Sequence, residues 1–183
     1  MPWFTKPYAD FVQRLRVPIG FVLVAAFAYW SSPTVSSIIW GAPISIAGLL
    51  LRAWAAGHLA KNQSLAVSGP YAFTRNPLYL GTLLVALGLV IASREPALAV
   101  LFAAAFGLVY LPAIELEEQH LRELFPDYAR YAERVPRLSV RIPGERNSAS
   151  FRLSLYRKNQ EYQATAGYLV GLALLVWKVW RSR

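Results

Sequence analysis

Gly69-Pro70-Tyr71-Ala72-Phe73-Thr74-Arg75-Asn76-Pro77-Leu78-Tyr79-Leu80-Gly81 is a polar, turn-rich stretch that runs straight into an apolar block. Gly-Pro marks a turn, and Pro77 suits the first turn of a helix, where its missing N–H costs nothing. Outward from this stretch the chain keeps alternating polar islands with apolar runs. Apolar residues make up 56% of the 183 and charged residues only 16%, a balance too greasy for an ordinary soluble domain. The excess comes in blocks, so it reads as membrane spans rather than as one large core. The net charge of +9, from 19 Lys+Arg against 10 Asp+Glu, would point to nucleic acid in a soluble protein. Here the basic residues flank apolar blocks. Anionic headgroups and the positive-inside rule account for them, and no nucleic-acid partner is expected. With no cysteine, disulfides, thiolate zinc sites and thiol nucleophiles are excluded. The histidines are not clustered, and no metal site is expected.

The expected architecture is an all-α, polytopic integral membrane protein of one domain, residues 1–183. Residues 1–17 mix Trp3, Phe4, Tyr8 and Phe11 with basic residues, as interfacial segments do. Two spans follow within 18–56, broken at Ser31-Ser32-Pro33. The core, 57–137, holds the third and fourth spans, Pro77 to Ala92 and Ala97 to Ile114, and then an amphipathic helix from Glu115 to Arg134. A basic connection over 138–163 leads to a fifth span, 164–180. Each run is near the roughly 20 residues that a bilayer requires. No cleavage site follows the first run, so it reads as a retained span. The N-terminus, the Gly57–Arg75 connection and the Glu115–Glu161 segment fall on one side. They carry nearly all the loop Lys and Arg, including nine between Arg122 and Lys158, against Arg94 alone in the loops opposite. The N-terminus and both polar islands are therefore expected on the cytoplasmic side of a bacterial inner membrane. Five spans then leave the C-terminus outside, against its Lys178, Arg181 and Arg183.

Several residues in the islands can carry chemistry. The opening of the third helix presents free N–H groups and a positive dipole end. Arg75 offers a carboxylate-binding fork, and Tyr71, Phe73 and Tyr79 offer flat faces for a ring or a cation. Gly81 permits close approach to the helix. The second island, Glu115-Leu116-Glu117-Glu118, ends the fourth span. Carboxylates there oppose the helix dipole, so a cation or an arginine should compensate them. Glu117 and Glu118 point about 100° apart, so at most one faces a pocket squarely. Glu115 reads as the solvated start of the amphipathic helix, and His120 as lying on its solvated face. Arg52, within its span, reads first as a residue snorkelling to the cytoplasmic interface and otherwise as one lining the site. Gly167 and Gly171 form a GxxxG that allows close helix packing, within the monomer or in a homo-oligomer.

Gly69-Pro70-Tyr71, Arg75-Asn76-Pro77-Leu78-Tyr79-Leu80-Gly81, Glu117-Glu118, Leu121, Phe125, Tyr128, Tyr131 and Val135-Pro136-Arg137 together resemble one pattern. It is that of the isoprenylcysteine carboxyl methyltransferase and phospholipid methyltransferase superfamily, small helical membrane enzymes. The resemblance covers roughly Gly57 to Arg137. It implies an S-adenosylmethionine-dependent methyltransferase with a cytoplasmic-side cofactor pocket, active on a lipidic or amphipathic acceptor such as a phospholipid amine or a prenyl-type substrate, with membrane lipids as partners. The implied cofactor residues are His58, Lys61, Tyr71, Arg75, Asn76, Pro77, Tyr79, Leu80, Gly81, Glu117 and Glu118. The implied catalytic residues are Glu118, His58 and Arg75. The chain departs from the family at Asn76, which stands where Arg-His-Pro is usual. Asn hydrogen-bonds but does not titrate near neutral pH. It departs again at Pro126, where a glycine is usual. The fifth span has no role that the resemblance supplies.

Two rivals differ in kind. An NADPH-dependent, sterol-reductase-like membrane enzyme has a related Arg-His motif, but Glu117-Glu118 and the lack of a long Trp/Gly-rich motif before Arg75 speak against it. A non-catalytic membrane assembly subunit, packed through Gly167 and Gly171, would tolerate alanine at Arg75 and Glu118.

Overall fold

A computed structural model describes residues 6–142 and 150–182, and among these the chain is all-helical, without strands. α1 spans Lys6–Trp30 and α2 spans Val35–Ala56. A 3₁₀ turn at Gly69–Ala72 precedes α3, Pro77–Ser93. Next come α4 (Pro96–Ala105), a wide π turn (Phe106–Tyr110) and α5 (Leu111–Leu124). α6 (Tyr128–Arg134), α7 (Leu153–Lys158) and α8 (Tyr162–Arg181) complete the order. Two helical runs, Val35–Ala56 and Pro96–Leu124, are long and apolar enough to cross a membrane, while Pro18–Trp30 and Pro77–Ser93 are shorter apolar helices.

Two boundaries differ from the sequence reading. There is no break between an interfacial segment and the first span: α1 continues through Pro18. The fourth span and the front of the amphipathic helix are likewise one helical run, from Pro96 to Leu124. That run ends at Phe125, which is extended (φ −125°, ψ 111°), because the following Pro126 disfavours the helical region for the residue before it. Residues 128–134 then form a separate helix. The connection 138–163 contains α7, and its residues 143–149 lie outside the described part.

α2 and α3 form a tight antiparallel hairpin. Thr34 opens α2 with a capping box: its Oγ1 accepts from the Ser37 amide at 3.2 Å, and Ser37 Oγ accepts from the Thr34 amide at 2.9 Å. Along the seam, Ser37 Oγ donates to the Ala92 carbonyl (2.8 Å), Ser45 Oγ to Val85 (2.9 Å) and Arg52 Nη1 to Leu78 (3.3 Å). Between these polar rungs the backbones nearly touch. A Cβ at Gly41 would lie 2.2 Å from the Gly88 carbonyl oxygen, and one at Gly48 would lie 2.6 Å from that of Gly81. Glycine is required there because no side chain fits between the two backbones.

α1 packs on the α4–α5 run. Pro112, in the first turn of α5, has no N–H, so in an α pattern it would leave the Leu108 carbonyl without its donor. Tyr8 of α1 donates its hydroxyl to that carbonyl at 2.9 Å. The wide turn closes with the Leu111 amide bonding to the Phe106 carbonyl.

α8 lies antiparallel to α2. At one end Lys178 Nζ donates to the Ser31 (2.7 Å) and Tyr29 (3.2 Å) carbonyls, which the end of α1 leaves exposed. At the other end Glu161 pairs with Arg52. Among the described residues the Gly167–Gly171 motif makes no close packing. Nothing lies within 4 Å of a Cβ at Gly167, and only Leu89 and Phe27 approach one at Gly171, near 4 Å. The close-packing glycines are instead those of the α2–α3 seam.

Candidate functional site

The connection after α2 folds back under the helix ends. Asn159 Nδ2 donates to the Ala56 and Leu59 carbonyls, both at 2.9 Å, and so caps the end of α2. Gly69 adopts φ +57°, a left-handed conformation that glycine tolerates, and presses against His58. A Cβ at Gly69 would lie 2.7 Å from that ring. The His58 Nδ1 sits 3.0 Å from the Trp54 carbonyl, and its ring meets Trp54 and Phe151 edge-on.

Residues 73–76 and 136–141 run side by side. The Arg75 amide donates to Pro136 (2.8 Å), the Arg141 amide to Phe73 (3.0 Å) and Thr74 Oγ1 to Arg137 (3.2 Å). Glu118 rises from α5 into this junction and is 2% exposed. Its Oε1 accepts from Asn76 Nδ2 at 3.0 Å, and its Oε2 accepts from Arg137 Nε (3.2 Å) and Nη2 (2.9 Å). Arg75 Nε lies 3.2 Å from Oε1, an ion-pair distance without hydrogen-bond alignment. Arg75 Nη1 donates to the Ala132 carbonyl. Asn76 spends its second hydrogen on the Arg137 carbonyl at 3.2 Å. Glu115 is buried as well, with Oε2 4.0 Å from Arg137 Nη1. It is not the solvated residue that the sequence reading expects, because the arginine brought in behind Pro136 compensates it.

Beside this clamp is a pocket of about 510 Å³. Its wall includes Lys61, Tyr71, Arg75, Asn76, Pro77 and Tyr79, with Leu116, Glu117, His120, Tyr128 and Tyr131. The twin carboxylates are therefore split. Glu117 lines the pocket, where it accepts from the Tyr79 hydroxyl at 3.2 Å, and Glu118 faces the clamp. Of the residues expected at the cofactor, Lys61, Tyr71, Arg75, Asn76, Pro77, Tyr79 and Glu117 come together on this wall, while His58, Leu80, Gly81 and Glu118 do not line it. Gly81 does admit close approach, but to the Gly48 carbonyl and the Arg52 side chain. The Arg75 fork is turned toward Glu118 and Ala132 rather than presented whole to the pocket. Sequence reasoning missed Arg137 as the second arginine on Glu118. The signal was present in Pro136, which favours an extended residue before it and so a chain that can lie along 73–76.

The pocket phenols are held protonated. Burial pushes Tyr71 far above the ordinary tyrosine value, with the Glu117 charge adding to it. Burial acts likewise on Tyr128, reinforced by Glu118, and on Tyr131, reinforced by Tyr128. In the unfolded chain these phenols ionise near pH 10. Above that pH the unfolded chain has released protons that the folded chain keeps, so stability is full below pH ~10 and falls as pH rises. Among the described residues the buried Tyr128 hydroxyl has no hydrogen-bond partner. Tyr128→Phe is expected to raise stability by about 1 kcal/mol and to flatten the alkaline loss, as read from melting curves between pH 8 and 11. A loss of stability at pH 8 would contradict the placement of that hydroxyl.

The Arg-Asn-Pro start of α3 and Glu117 of α5 thus meet at one pocket of a helical core. The chain belongs to the phospholipid methyltransferase family, whose profile matches residues 38–128, within the isoprenylcysteine and phospholipid methyltransferase superfamily. It is 31% identical over 173 residues to the cobalt-zinc-cadmium resistance protein CzcN of Cupriavidus metallidurans, covering 88% of this chain and 77% of that protein. It is 28% identical over 187 residues to the nickel-cobalt-cadmium resistance protein NccN of Alcaligenes xylosoxydans xylosoxydans, covering 94% and 82%. No solved structure matches the chain.

Proposed function

We propose that this chain is an integral membrane methyltransferase that uses S-adenosylmethionine and modifies a lipidic or amphipathic acceptor. The observation that carries the reading is the pocket wall, which places a basic residue (Lys61), an acidic residue (Glu117) and a buried aromatic (Tyr71) together within the family region. That donor set fits a zwitterionic ligand bearing an aromatic base, and the volume lies within the roughly 300–1,000 Å³ of small-molecule sites. Lys61 would hold the carboxylate, Glu117 and Tyr79 the ammonium or the ribose hydroxyls, and Tyr71 the face of the base. The cofactor, when bound, supplies an electrophilic methyl on a good leaving group. The chain's own part is to position and to exclude water. Ala113, Leu116 and Leu78 give the pocket an apolar side suited to an acceptor from the bilayer. Where that acceptor must lose a proton, Glu117 and His120 stand on the wall to accept it. His58 lies outside the wall, and Glu118 is engaged in the clamp.

The membrane placement is part of the proposal. Tyr29, Trp30, Trp40, Trp177 and Trp180 are exposed toward one end of the bundle, and Trp54, Phe151 and Tyr162 toward the other. Two such aromatic girdles suit the two headgroup levels. They support α1 and α8 as spans beside α2, α3 and the α4–α5 run, five in all, and the positive-inside count then favours a cytoplasmic pocket and N-terminus. The C-terminal lysine that conflicts with positive-inside counting has a local task, binding the carbonyls at the end of α1.

Calorimetric titration of the folded protein with S-adenosylmethionine and S-adenosylhomocysteine tests the reading. Binding is expected, weakened about tenfold (~1.4 kcal/mol) by Glu117→Gln, and a folded protein that binds neither compound rejects the proposal. Labelled cofactor with a membrane lipid extract would then identify the acceptor. The names of the relatives favour a second reading, a non-catalytic membrane subunit of a metal-resistance system. Among the described residues no group of three His, Asp or Glu is placed to hold a metal ion. Under this reading Glu117→Gln leaves every activity of the chain intact.

A further inference from the structure

α8 lies outside the family-matched region 38–128, yet through Arg52 of α2 its start is linked to the beginning of α3, which forms part of the pocket wall. Glu161 stands at the N-terminus of α8 and is buried. Both of its oxygens are taken by Arg52, Oε1 by Nε and Oε2 by Nη2 at 3.1 Å. The remaining arm of the same guanidinium, Nη1, donates to the Leu78 carbonyl at 3.3 Å and to the Thr82 hydroxyl. Leu78 lines the pocket between Pro77 and Tyr79. Each charge sits where a helix dipole favours it, the carboxylate at a helix start and the guanidinium near the end of α2. The arrangement is thus a rigid fork with α8 on one side and the pocket wall on the other. A lysine would supply the charge but not the two-sided geometry.

We infer that Glu161 and Arg52 are positioning residues for the pocket, and that α8 serves to hold the first turn of α3 in place through them. With Glu161 neutralised, Arg52 loses its ion pair and the aim of Nη1 at Leu78 is no longer fixed. Pro77, Leu78 and Tyr79, and through Tyr79 the Glu117 carboxylate, then lose their common reference. Apolar packing of α8 contributes little to this, because only Tyr168 and Leu175 of its residues are buried.

The inference rests on the methyltransferase reading for its affinity readout alone, so it is tested by two measurements. In Glu161→Gln and Arg52→Lys, hydrogen exchange at the amides of Leu80, Gly81 and Thr82 is expected to quicken at least tenfold, while the middle of the α2–α3 seam stays protected. S-Adenosylhomocysteine affinity is expected to fall about tenfold in the same proteins. Lys178→Met, which loosens the far end of α8, is expected to lower the melting temperature with affinity unchanged. Wild-type-like exchange at residues 80–82 in both variants overturns the inference, as does a loss of affinity in Lys178→Met that matches theirs. If the wild-type protein binds no cofactor while the variants still loosen residues 80–82, the function reading falls and the positioning role stands. Should either variant fail to fold, Thr82→Val, which keeps the ion pair but removes one Nη1 acceptor and the hydroxyl's own bond to the Leu78 carbonyl, is expected to show the same local quickening at smaller size.

Discussion

Glu118→Ala is expected to cost about 3–5 kcal/mol, enough to unfold a marginal protein. The carboxylate is almost fully buried, and it is the shared acceptor for Asn76 and the Arg137 fork and the ion-pair partner of Arg75. Its removal leaves two largely buried guanidinium groups facing each other. The amide of Asn76, which does not titrate, also loses an acceptor. Glu118→Gln keeps an acceptor for Asn76 and is expected to cost less, through the lost charge alone. Glu117→Ala, one residue away but exposed at the pocket, is expected to change stability by no more than about 0.5 kcal/mol while weakening cofactor binding. Denaturant unfolding of the three variants in one detergent checks this. Equal stability of the Glu117 and Glu118 alanine variants would dissolve the division of labour between the twin carboxylates.

Gly41→Ala is expected to destabilise by about 3 kcal/mol, at the upper end for forced overpacking. Its Cβ would meet the Gly88 carbonyl oxygen and Ala92, which are backbone and a short side chain with no room to rotate away. Gly88→Ala should cost a similar amount for the reciprocal reason. Gly167→Ala, in open space, is expected to stabilise by about 0.5–1 kcal/mol through helix propensity. Melting curves of these three proteins separate a glycine seam from an incidental glycine. A Gly41→Ala protein as stable as the parent would mean that the two helices are not in backbone contact.

Helical content, the apolar blocks and the Arg-Asn-Pro helix start were legible in the sequence, because each is written in local periodicity and punctuation; the end of the fourth span at Glu115 was not, since the helix runs on to Leu124. The orientation of side chains at the junction was not. Whether Arg75 turns to a ligand or to Glu118 depends on Arg137, which lies 62 residues away and enters only once Pro136 has laid residues 136–141 along 73–76. His58 looked available because its environment, Phe151 and the backbone of Gly69, comes from distant segments. The motif Gly167–Gly171 drew attention by its familiar spacing. The seam glycines repeat at seven, as 41 and 48 and as 81 and 88, in two adjacent blocks, a spacing that marks the seam in the sequence itself. Arg52 looked like a snorkelling residue since nothing local reveals a partner 109 residues on.

The wide turn at Phe106–Tyr110 sets the phase of everything beyond it. A π turn takes up one residue more than an α turn, which advances the downstream helix by about 100°. That is the angle separating Glu117 from Glu118. In a helix of the same sequence without the turn, Glu117 would occupy the buried clamp position and Glu118 would swing away from it. Which of two identical neighbours becomes structure and which is offered to a ligand is thus chosen by a frameshift in the helix, laid down about two turns upstream.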